Sequence, residues 1–221
     1  MNYALFFVAL LFTLYAQIMV KHNFKKYSDG MKNWSRMTGE EIARNILNDN
    51  GLSNVDIRET SGTLTDHFDP TTNIVYLSES VYDKNTIAAV GVAAHEVGHA
   101  IQYSLGYTPM RIRSAVIPAT QIGSYLSYPL ILLGLFFSLP SLIDIGIVCF
   151  SLVVFFQLIT LPVEFNASRR AMEAIEQGGY LEKNQQKGTK KVLKAAAMTY
   201  VAALFTAVVN LLRLIYMRNG K

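Results

Sequence analysis

The chain has 221 residues, of which 51% are hydrophobic and only 16% charged, which excludes a soluble domain of ordinary composition. That length accommodates one compact unit plus several membrane spans. The formal charge is +4, but the basic residues gather beside apolar runs without any nucleic-acid-binding motif, so they point to an anionic membrane surface and not to DNA or RNA.

Residues 3–20 are almost wholly apolar and uncharged, and Lys21, Lys25 and Lys26 follow them. A cleavable signal peptide carries its positive charges before the apolar run and small residues at its end. Here the order is reversed, so residues 1–20 read as an uncleaved anchor whose basic flank faces the cytoplasm. The next stretch, 21–114, reads as soluble. Thr38-Gly39-Glu40-Glu41 has the form of a capping box. It opens a helix carrying Ile42, Ile46 and Leu47, and Asn50-Gly51 supplies the stop. Two β-prone pieces, 55–57 and 74–77, flank the turn segment Asp69-Pro70-Thr71-Thr72-Asn73. A small sheet there can bind an extended peptide by strand addition, because such a peptide needs only backbone partners.

Asn85 is placed to cap a helix running to about residue 105, with Gly106 beyond its end. This helix carries Ala93-Ala94-His95-Glu96-Val97-Gly98-His99-Ala100. His95 and His99 are four apart, so a helix stacks them on one face, where two imidazoles reach one metal ion and leave coordination positions open. Glu96 adjoins the first histidine as a base. This is the H-E-x-x-H pattern of zinc metallopeptidases, and the uncharged residues around it suit a helix packed inside a fold. The stretch is also long and apolar enough for a second reading, in which the motif helix itself spans the membrane.

Residues 115–139 and 142–161 form a membrane hairpin, with Ser138-Leu139-Pro140-Ser141 as its turn. The single cysteine, Cys149, lies in this region, cannot form an internal disulfide and reads as a packing residue. A hairpin returns the chain to the side it left, so residues 162–193 share a side with His95. A last apolar run lies within 194–221 and ends in a basic tail. Lys21, Lys25, Lys26, Arg111, Arg113, Arg169, Arg170 and the lysines of 183–194 place the motif side in the cytoplasm, against Arg213, Arg218 and Lys221 at the chain's end. There is no internal repeat.

A catalytic zinc site needs a third protein ligand. His22 and His67 read as surface or loop residues. Glu164 is the better candidate: it follows the hairpin, on the side of His95, at the start of a helical segment. A helix N-terminus also favours a carboxylate through its dipole alone. His95-Glu96-Val97-Gly98-His99, a membrane hairpin and then Glu164-Phe165-x-Ala167 together resemble the integral-membrane gluzincin peptidases, among them the heat-shock membrane protease and CAAX prenyl protease families. The compact layout is most similar to the bacterial YugP-like neutral zinc metallopeptidases.

The resemblance implies a mainly α membrane protein: about four transmembrane helices and a small α+β zincin-like domain carrying the H-E-x-x-H helix. It implies one zinc ion per chain on His95, His99 and Glu164, Glu96 as general base, and protein or peptide substrates near the lipid bilayer. Ser168 stands where the prenyl and heat-shock families have aspartate; it can make one hydrogen bond but supplies no charge. His67, Tyr103, Arg169 and Arg170 are the candidate oxyanion donors, and the sequence does not choose among them. Two rival readings stay open. In an intramembrane, site-2-type protease the third ligand is Asp144, within Leu142-Ile143-Asp144-Ile145-Gly146. In a non-catalytic scaffold the metal is structural, although such a site needs no base beside its ligand and uses four protein ligands.

Overall fold

The computed structural model describes residues 3–219. The chain is mainly helical, in the order α1 (Tyr3–Ser28), α2 (Gly39–Asp49), β1 (Asp56–Thr60), β2 (His67–Asp69), β3 (Ile74–Ser78), α3 (Ile87–Ser104), α4 (Thr108–Phe136), α5 (Pro140–Gln177) and α6 (Lys183–Asn219). Four helices, α1, α4, α5 and α6, are long and apolar enough to cross a membrane. The motif helix α3 is not one of them, and its residues are mostly buried inside protein.

Two compact units emerge. One comprises Met1–Gln17, Thr108–Pro162 and Met198–Lys221; the other comprises Ile18–Tyr107 and Val163–Ala197. In the first, α4 and α5 approach through small residues, as membrane helices do. A Cβ on Gly146 would stand 2.8 Å from the Ser127 carbonyl, and one on Gly123 would stand 2.7 Å from that of Cys149. Ile131, Phe150 and Leu214 are buried together in this unit.

In the second unit the capping box forms as expected. Thr38 accepts from the Glu41 N–H, the Glu41 carboxylate accepts from the Thr38 N–H, and Ile42, Ile46 and Leu47 are buried. The sheet has the order β1-β3-β2, with β1 parallel and β2 antiparallel to β3. Its central strand is buried along almost its whole length, as the apolar Ile-Val-Tyr-Leu run requires. The turn before it holds: Asp69 accepts from the Thr71 N–H and the Thr72 hydroxyl, each at 2.8 Å.

Three expectations need correction. β2 is a strand, where only the turn after it is legible. Thr86, not Asn85, caps α3, its hydroxyl accepting from the Ala89 N–H. Pro162 does not open a new helix but lies inside α5. Glu164 is therefore in mid-helix, and a dipole at a helix N-terminus does not account for it.

α3 is rich in alanine and glycine because other helices press against it. A Cβ on Gly98 would stand 2.7 Å from the Ala167 carbonyl, and one on Gly91 would stand 2.7 Å from the Thr189 methyl. The glycine between the two motif histidines thus lets the α5 segment lie directly on α3. That contact brings Glu164 to the histidines.

Candidate metal centre

Helical spacing places the His95 and His99 rings edge to face, with centroids 4.8 Å apart. α5 presents Glu164 to both: its Oε2 is 3.3 Å from His95 Nε2 and 3.6 Å from His99 Nε2. One ligand atom from each of the three residues lies within 4.8 Å of the others. Glu164 is 2% exposed and His99 is 7% exposed, so the cluster is largely withdrawn from water.

The far sides of both rings are engaged. His95 Nδ1 is 3.2 Å from the Ser168 hydroxyl, and His99 Nδ1 is 3.0 Å from Gln102 Oε1. Ser168 thus makes the one hydrogen bond open to it in place of aspartate. Gln102, fully buried, donates from Nε2 to the Val163 carbonyl at 2.8 Å and to Asn166 Oδ1 at 3.0 Å. Arg170 Nε donates to the same Asn166 oxygen at 2.8 Å. With both Nδ1 atoms engaged, the two Nε2 atoms converge on a carboxylate oxygen. Two imidazoles and one carboxylate match the donor set of a catalytic zinc site.

Glu96 is 8% exposed, and burial pushes its carboxyl up to about 7. His95 acts in the opposite direction, the charges of Asp66 and Glu164 add to the rise, and the Phe68 backbone N–H favours the carboxylate. A dication in the cluster would favour the charged form further. Asp66 is itself raised by burial, against hydrogen bonds from the Ser78 N–H and hydroxyl. Those bonds, 2.7 Å and 3.0 Å long, tie the start of β2 to the end of β3 and so fix the strand that carries Phe68.

The remaining predicted residues have other partners. His67 is exposed on β2, stacked on Tyr76 with centroids 4.8 Å apart. Tyr103 packs on Phe68, Arg169 pairs with Glu173, and Arg170 is bonded to Asn166. His22 is exposed on α1. The Asp144 carboxylate is gripped by Arg218, from Nε at 2.8 Å and from Nη2 at 3.0 Å. Gln102, Asn166, Asp66 and Phe68 are site residues that sequence reasoning missed. Gln102 had one local signal, since three residues after His99 it shares that histidine's face; the others become neighbours only through the tertiary fold.

No solved structure matches the chain. It is 46% identical over 214 residues to a Bacillus subtilis (strain 168) protein named "Putative membrane protease YugP", covering 96% of this chain and 95% of that relative. The model of the family described as "Putative neutral zinc metallopeptidase" matches residues 2–219. With nearly every residue inside that match, the chain belongs to this neutral zinc metallopeptidase family.

Proposed function

We propose that the chain is a multi-pass zinc metalloendopeptidase of the cell membrane, cleaving membrane proteins or peptides close to the bilayer. The observation that carries this is the convergence of His95, His99 and Glu164 within 4.8 Å, with buried Glu96 next to the first of them. In this reading 21–114 and 162–193 together form a zincin-like domain, with the H-E-x-x-H helix beside a small sheet. The basic residues flanking the apolar helices support a cytoplasmic catalytic side.

His95, His99 and Glu164 would hold one zinc ion. Zinc, when bound there, supplies a Lewis acid that polarises the scissile carbonyl and makes water more acidic. Glu96 accepts the attacking water's proton and returns it to the leaving amine, so its carboxyl is a base first and an acid second. Ser168 and Gln102 hold the two imidazoles in position, and the α3–α5 contact keeps bulk water from the ligand atoms.

The reading is tested by cleavage of an unfolded membrane protein by the full chain in detergent. Activity is expected to disappear on chelation and to return with added zinc. Cleavage that persists after the metal has been stripped would overturn it.

A further inference from the structure

A groove of about 720 Å³ runs between the α5 and α6 segments of the second unit. Lys183, Lys187, Lys190 and Lys194 line one wall at spacings of four, three and four residues, so they form a single stripe on α6. Among the described residues, no carboxylate pairs with these ammonium groups, whereas Arg169 on the opposite wall is paired with Glu173. The two ends differ. Glu173 and Glu176 lie on the groove with Lys183 and Lys187, while Lys190 and Lys194 share it with Phe165, Leu193 and Ala197. That second end offers uncompensated positive charge beside the half-exposed Phe165 ring, Leu193 and Ala197 being buried.

We propose that this end binds an anionic phospholipid, its phosphate on Lys190 and Lys194 and the start of an acyl chain against the exposed Phe165 ring. A soluble anion has no use for the apolar ring. A lipid is also at hand, since α6 runs without a break from these lysines into its apolar stretch. Anionic membrane surfaces attract lysines placed in this way beside a span. Ser168 lies on the same groove and bonds His95.

The test uses the full chain in a neutral detergent, with native mass spectrometry counting bound short-chain phosphatidylglycerol, phosphatidylcholine or inorganic phosphate. Phosphatidylglycerol is expected to bind about tenfold or more tighter than phosphatidylcholine, and Lys190→Gln/Lys194→Gln to remove that preference. A preference unchanged in this variant would overturn the site. So would an equal loss in Lys21→Gln/Lys25→Gln, which would mean general surface attraction. Inorganic phosphate or an acidic peptide displacing the lipid at equal concentration would also overturn it, assigning the lysines to a free anion or to substrate.

The geometry also assigns Gln102 as a positioning residue that sets the tautomer of His99; this second inference rests on the metal reading above. The polarity is forced from one end of a hydrogen-bond chain. Arg170 Nε–H can only donate, so the Asn166 atom facing it is an oxygen. That oxygen and the Val163 carbonyl can only accept, so the nitrogen of the Gln102 amide faces α5. Its oxygen is left for His99 and requires a proton on Nδ1. Nε2 then turns a lone pair towards Glu164 Oε2, 3.6 Å away, and two facing lone pairs call for a cation between them.

In metal-free protein labelled with 15N-histidine, Nδ1 of His99 is expected to carry a proton, whether or not Nε2 also does. Gln102→Leu is expected to lose that bias and to weaken zinc by about 10–100-fold in chelator competition. Arg170→Leu touches neither the histidine nor the metal, and should shift both readouts in the same direction but less. An Nε2–H tautomer in the wild type, or zinc affinity unchanged in both variants, would overturn the assignment. If the wild type bound no zinc, the metal reading would fail while the tautomer was still read separately.

Discussion

Replacing Glu96 by Gln is expected to lower peptide-bond hydrolysis by about 10²–10⁴-fold and to leave zinc bound. The expected loss is large because glutamine keeps the shape of the side chain but has no carboxylate to accept water's proton. Folding is not expected to suffer. Burial already pushes the Glu96 carboxyl up to about 7, so a neutral amide suits the site, and its oxygen still accepts from the Phe68 N–H. Zinc content and turnover measured on one preparation separate the two effects. Undiminished cleavage by the zinc-loaded variant would remove Glu96 from the mechanism.

Glu164→Ala is expected to weaken zinc by more than about 100-fold, beyond the 10–100-fold typical of losing an outer hydrogen-bond partner. Glu164 Oε2 lies within 3.6 Å of both Nε2 atoms, and without it two histidines remain. Asp144→Ala is the informative comparison. Its carboxylate is occupied by Arg218, so its removal should leave zinc affinity unchanged. Chelator competition on both variants, with thermal unfolding as a check on the fold, decides between them. The opposite ranking would make Asp144 the ligand and revive the intramembrane reading.

The parts of this molecule legible in its sequence are those written in short-range chemistry. Thr38 and Glu41 form a reciprocal cap because both partners lie within one helical turn. His95 and His99 share a face for the same reason. The long apolar runs announce four helices able to cross a membrane because length and composition suffice. β2 escaped notice because three residues, two of them polar, carry no usable alternation; it is a strand only because β3 is there to pair with it. Pro162 misled for a different reason. A proline after an apolar run resembles a helix start, yet a long apolar helix absorbs one without ending, and α5 continues to Gln177.

The polar surroundings of the site were beyond local reading. Gln102 meets Val163 and Asn166 across more than sixty residues of chain, and only the close approach of Gly98 to Ala167 makes that meeting possible. Ser168 was visible as a departure from related families, but its bond to His95 depends on the same approach.

The central claim is that three residues from two distant segments hold one zinc ion. Elemental analysis of the purified full chain, supplied with zinc and freed of excess, tests it most directly. About one zinc per chain is the result expected of a single three-ligand site. A chain that retained no zinc after being supplied with it would contradict the claim.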